Sequence, residues 1–132
     1  MTKALNDTEW IILRALWNKP PQSFKEIVNE IRTTRPDISW SYKTYHTYLR
    51  NMCTKGLVVW EEKNMKDKLY APGLTEQQAL DAETDQVISR SGYYGSLGRM
   101  MLAMAQKDTL TDSDRQDILE FARKLEKETE QK

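Results

Sequence analysis

The stretch Ser41-Tyr-Lys-Thr-Tyr-His-Thr-Tyr-Leu-Arg-Asn-Met-Cys-Thr-Lys-Gly-Leu-Val-Val59 decides how the chain is read. It opens on serine, a helix-capping residue type, and its helical run closes at Lys55-Gly56. Tyr45, Tyr48, Leu49, Met52 and Cys53 recur at the i, i+3, i+4, i+7, i+8 spacing of one buried helix face. The other side, early in the helix, carries Lys43, Thr44, His46, Thr47 and Arg50, with no Asp or Glu. Such a surface, in a chain whose acids and bases are equal in number, points to a polyanionic partner. Beyond Gly56 the pattern turns extended, with Leu57-Val-Val-Trp60, a polar turn, then Leu69-Tyr70. Helix, glycine and two-stranded ribbon outline a winged helix-turn-helix in which helix 41–55 enters the major groove of DNA.

Toward the N-terminus, Asn6 with Glu9 makes a capping box ahead of the helical stripe Trp10, Ile11, Leu13, Leu16 and Trp17. Two tryptophans at helical spacing are read as core packing, not as a ligand cage. Pro20-Pro21 stops this helix, and residues 20–22 are placed to lend a short strand to the wing. Ser23 with Glu26 then caps a second helix whose buried positions are Phe24, Ile27, Val28 and Ile31. On the wing, Lys63, Lys66 and Lys68 stand where they can reach phosphate. Glu61, Glu62 and Asp67 give the same turn the composition of an ordinary solvated hairpin, so the residues alone leave both readings open.

Pro72-Gly73 divides the chain into residues 1–72, the winged-helix domain, and residues 73–132, a three-helix arm. The first part has 12 Lys/Arg against 8 Asp/Glu and the second 8 against 12, so a net charge of zero conceals a basic and an acidic part. In the arm, Leu80, Thr84, Val87 and Ile88 share one side of the first helix. Leu97, Met100, Met101 and Met104 follow on the second, and Ile118, Phe121, Ala122 and Leu125 on a third that Thr111 can cap. So few large apolar side chains make a thin core, and a second copy of the chain is the simplest cover. The expected dimer interface is Val87, Ile88, Leu97, Met100, Met101, Met104, Ile118, Phe121 and Leu125. The methionines are read as adaptable packing, not as a copper-binding box.

At 132 residues and 39% hydrophobic content, with a mean hydropathy of -0.76, the chain suits one domain with an extension and offers no membrane span. No apolar leader stands at its start, so a cytoplasmic location is the expectation. One cysteine excludes an internal disulfide and a cysteine-rich metal site, and one histidine, His46, has no partner for a catalytic or zinc role. No phosphate-binding glycine loop is present, and neither enzyme activity nor a cofactor is expected.

The chain resembles the penicillinase-repressor family of bacterial transcription repressors (BlaI/MecI/CopY type) nearly end to end. The resemblance rests on Leu5-x-x-x-Glu9-Trp10 with Leu16-Trp17, and on Trp40-Ser41-x-Lys43-Thr44-x-x-Thr47-x-Leu49. Lys55-Gly56-Leu57, Tyr70-x-Pro72, Gly95-Ser96-Leu97 and Leu110-Thr111 extend it. It implies a homodimer with crossed tails that binds a palindromic operator and blocks transcription, with a regulatory protease acting on the tail as a further partner. The chain departs from the family at Tyr42, where proline is usual, and at Asn51, where a basic residue is usual. It lacks the Cys-x-Cys pairs of copper-responsive members and has Ala103-Met104 where antibiotic-responsive members carry a cleaved Asn-Phe bond. Ser41, Tyr42, Lys43, Thr44, His46, Thr47, Arg50, Lys63, Lys66 and Lys68 are thus the candidate DNA-binding residues. The alternatives are a protein-docking winged helix and a ligand sensor with a pocket in the tail.

Overall fold

The computed structural model describes residues 3–64, 67–107 and 110–130. Its contacts separate two compact units, Met1–Gln86 and Val87–Lys132. The first is a winged helix-turn-helix. Helix α1 (Asp7–Asn18), strand β1 (Gln22–Ser23), helices α2 (Phe24–Thr34) and α3 (Tyr42–Thr54), and strands β2 (Val58–Glu62) and β3 (Lys68–Pro72) follow in order. The strands form an antiparallel sheet in the order β1-β3-β2, with Gln22 opposite Tyr70 and Trp60 opposite the same residue on its other side.

Local chemistry sets the helix starts. Asn6 and Ser23 each accept a hydrogen bond from the N–H three residues on, and the Glu9 and Glu26 carboxylates each accept one from the cap residue's own N–H, so both capping boxes form. The end of α3 is a Schellman closure. Leu57 N–H donates to the Met52 carbonyl at 2.9 Å and Gly56 N–H to the Cys53 carbonyl at 3.1 Å, with Gly56 at φ +80. Gly73 N–H donates to the Leu57 carbonyl at 2.8 Å, and a Cβ on Gly73 would collide with the Gly56 carbonyl oxygen. Glycine is needed at both ends of the ribbon, at one for its φ and at the other for its lack of bulk.

The core gathers Ile12, Leu13 and Leu16 of α1, Ile27, Val28 and Ile31 of α2, Tyr45, Leu49 and Met52 of α3, and Val58 of β2. Each such burial is worth about 1.5–3 kcal/mol. Trp10 and Trp17 meet edge to face at 6.0 Å against this core, as packing residues. Polar contacts between elements add to this packing. Gln22, 2% exposed, donates to the Ala15 carbonyl at 2.7 Å; Trp17 Nε1 donates to the Leu74 carbonyl at 3.0 Å; Lys55 Nζ lies 2.8 Å from buried Glu9. Helix α4 (Glu76–Ser89) begins against the same core through Ala79, which is fully buried, and the boundary between the units falls within this helix.

The second unit holds the end of α4, a 3-10 turn at Ser91–Tyr94, α5 (Leu97–Ala105) and α6 (Asp112–Glu130). Ser96 caps α5 and Thr111 accepts from Asp114 N–H at the start of α6. No residue of α5 or α6 is buried.

Two substitutions check this account by urea denaturation. Leu49→Ala is expected to lower stability by about 2–5 kcal/mol and Gly73→Ala by about 1–3 kcal/mol. Parental stability in the second would show that the Gly56 carbonyl has room to move.

Candidate nucleic-acid interface

Burial of Tyr45, Leu49 and Met52 fixes the rotation of α3 and turns Tyr42, Lys43, His46 and Arg50 outward. Ser41 caps the helix, its Oγ accepting from Thr44 N–H at 3.2 Å and lying 3.0 Å from Thr44 Oγ1. Thr47 Oγ1 donates to the Lys43 carbonyl at 3.0 Å, so it offers a partner its methyl group and oxygen lone pairs. His46 lies flat on Phe24, centroids 3.8 Å apart and planes 5° apart. That stack fixes the imidazole plane while its nitrogens keep no partner among the described residues. Tyr45, by contrast, is spent on the core. Its hydroxyl is buried without a hydrogen-bond partner among the described residues, and burial pushes the phenol up, opposed in part by the charge of Arg32.

The positive pole of α3 is left open to an anion. Its first turn holds no acid, as in α5, whereas α1 begins with Asp7 and Glu9, α2 with Glu26, α4 with Glu76 and α6 with Asp112 and Asp114; α3 differs from α5 in carrying Lys43, His46 and Arg50 outward behind that start. A helix start without carboxylates keeps its partial positive charge and free N–H groups for a phosphate.

Between α3 and the wing runs a trough. A cavity of about 370 Å³ is lined by His46, Arg50, Cys53, Trp60, Lys68 and Tyr70. A second of about 600 Å³ shares His46, Lys68 and Tyr70 with it and continues along Phe24, Lys25, Lys63 and Asp67. Lys68 Nζ sits 4.3 Å from the Trp60 ring centroid, which orients the charge without neutralising it. Lys63 is on the wing turn, where its N–H donates to the Asp67 carbonyl at 2.9 Å. Lys66 lies outside the described residues. Glu26, also on the trough, accepts from Ser23 N–H, and this bond holds its carboxyl below the usual range.

Sequence reasoning did not assign Phe24 or Trp60 to this surface. Both read as ordinary apolar positions, and their roles depend on partners from other elements. The candidates in the second unit are all accessible: Val87 and Met100 are half-buried, and Ile88, Leu97, Met101, Met104, Ile118, Phe121 and Leu125 are exposed. Leu102 and Leu119, absent from the sequence-based interface, are exposed as well. The Ala103-Met104 bond lies within α5. Among the described residues no group of three or more His, Cys, Asp or Glu is arranged to hold a metal, and no helix is long and apolar enough to cross a membrane.

The family model described as penicillinase repressor matches residues 5–124. The chain belongs to the penicillinase repressor family. It is a DNA-binding transcriptional repressor and not an enzyme. Among similar proteins, the methicillin resistance regulatory protein MecI of Mammaliicoccus sciuri is 23% identical over 117 residues, spanning 89% of this chain and 91% of that protein. MecI of Staphylococcus aureus strain N315 is 22% identical with the same coverage. A solved structure concerning regulation of DNA binding of Bordetella bronchiseptica BpsR by 6-hydroxynicotinic acid aligns at TM-score 0.45 and 14% identity. It covers 93% of this chain and 76% of that one, a likeness too loose to bear on function. The matched span, residues 5–124, contains the segments from Leu5 to Thr111 on which the resemblance rests.

Cys53, on the trough floor, has its thiol pushed up by burial, an effect that Lys68 partly opposes. Its alkylation by iodoacetamide at pH 8 is expected to be slower than that of free cysteine and slower still with bound DNA. A rate equal to that of free cysteine would contradict the buried placement.

Proposed function

We propose that this repressor acts as a homodimer on a palindromic operator, with one α3 in the major groove of each half-site. The observation that carries the assignment is the acid-free start of α3, flanked by outward Lys43, His46 and Arg50. Lys43, Thr44, Thr47 and Arg50 face base edges and His46 joins them, its ring held by Phe24. Ser41 and Tyr42 lie close to phosphate at the helix start, and Lys63, Lys66 and Lys68 grip the flanking backbone from the wing. Residues 1–72 serve as the DNA-binding domain and residues 73–132 as the dimerisation arm. The apolar residues exposed on α5 and α6 support the arm's role, since a second copy would cover them. Two readers on one face of the duplex require half-sites about one helical turn apart, roughly 34–36 Å, or a multiple of that.

The test is binding of the full-length protein to the DNA upstream of its own gene in a salt series, with its mass measured in parallel. Tight binding that falls steeply with salt is expected, by a species of two chains. Arg50→Ala should cost about 1–3 kcal/mol of operator affinity. Phe121→Glu should yield single chains that bind the operator weakly. A monomer that binds a full operator tightly would overturn the dimeric arrangement, and salt-independent binding would overturn the assignment of α3.

A further inference from the structure

The fold brings Arg32, in the last turn of α2, onto Tyr42, the first residue of α3. The guanidinium carbon lies 4.7 Å from the Tyr42 ring centroid, and Arg32 Nη1 donates to the Tyr42 hydroxyl at 3.3 Å. Tyr42 in turn leans on Phe24, centroids 6.1 Å apart, the same ring that carries His46. An arginine side chain that would otherwise sample many rotamers is thus held at the edge of the reader helix.

Charge pairing singles out the same residue. Residues 1–86 contain four arginines: Arg14, Arg32, Arg35 and Arg50. Arg14 is 3.1 Å from the Glu76 carboxylate and Arg35 is 2.8 Å from Asp37, so both are neutralised. Arg32 and Arg50 have no carboxylate partner among the described residues, and both border α3. Stacking on a tyrosine leaves a guanidinium fully charged; Nη1 is spent on the Tyr42 hydroxyl and the group also lies beside the buried Tyr45 hydroxyl, which leaves its remaining N–H donors for an anion. The nearest feature that attracts an anion is the acid-free N-terminus of α3, beside Tyr42.

We propose that Arg32 is a further phosphate-binding residue of the DNA interface, positioned by Tyr42. The inference rests on α3 being the reader helix. Arg32 donates its remaining N–H groups to a backbone phosphate next to the one met by the start of α3. Tyr42 acts through the ring that carries the guanidinium, and its hydroxyl is secondary. Because the contact is to phosphate, it adds affinity at every sequence and does not select bases.

The test is the salt dependence of operator binding by full-length variants, read by fluorescence anisotropy on labelled duplex. Arg32→Ala should reduce the slope of log affinity against log salt by roughly 0.9 per bound protomer. Tyr42→Ala should weaken binding as much as Arg32→Ala, and the double variant no further. Tyr42→Phe, which keeps the ring and loses only the hydroxyl, should lose less of the slope than Tyr42→Ala. Arg14→Ala, which removes an equal but already paired charge, should retain the parental slope. A parental slope in Arg32→Ala, or an equal loss in Arg14→Ala, would overturn the proposal. Lys43→Ala separates the two levels of the argument. If it weakens binding while Arg32→Ala does not, only this inference fails; if neither does, the assignment of α3 fails with it.

Discussion

The winged unit depends on one helix serving two surfaces at once. Helix α3 buries Tyr45, Leu49 and Met52 in the core and presents Lys43, His46 and Arg50 to solvent, and both sets sit on the same 3.6-residue lattice. Turning the helix by one residue, about 100°, would expose the buried set, at about 1.5–3 kcal/mol for each side chain. Core packing therefore sets the direction in which the cations point. Finer adjustments come from outside the core: Ser41 fixes where the helix starts, Phe24 fixes the His46 plane, and the closure at Gly56 sends the chain directly into the wing.

The two units are built on different terms. The first has a dense core drawn from five elements, with polar contacts such as Gln22 to Ala15 that satisfy what burial would otherwise leave unpaired. In the second, α5 and α6 expose Met101, Leu102, Met104, Leu119 and Phe121 while keeping regular capped starts. Local helix chemistry is complete there although tertiary burial is not. That combination is consistent with the dimerisation role proposed for the arm, since pre-formed helices with exposed apolar sides are what a second copy would cover.

What was legible in the sequence was what is local. Asn6 with Glu9, Ser23 with Glu26, Ser41 and Thr111 all cap helices because the bond spans three residues and needs no distant element. The switch at Gly56 was readable for the same reason. What depends on distant neighbours was not. The sequence grouped Leu80 with Thr84, Val87 and Ile88 on one side of α4 but gave no sign that Ala79, a small side chain that lets the helix approach the core, is its buried residue. Lys55 read as part of a helix stop, and it also pairs with Glu9. Gly73 read as a domain end, but the nearby Gly56 carbonyl leaves it no room for a side chain. At the candidate site the exposed residues of α3 followed from periodicity, whereas the Phe24 and Arg32 contacts depend on how α2 crosses α3, which no spacing within either helix encodes.

The bond from Trp17 Nε1 to the Leu74 carbonyl joins residues 57 apart in the chain, and Ala79 completes the same core from still further along. A ribosome adding about 5–20 residues per second needs roughly 3–11 s to cover that separation. During that interval α1 and α2 exist without the segments that close over them. The winged unit is completed only after its wing has been made, and until then the apolar faces of its early helices lack part of their cover.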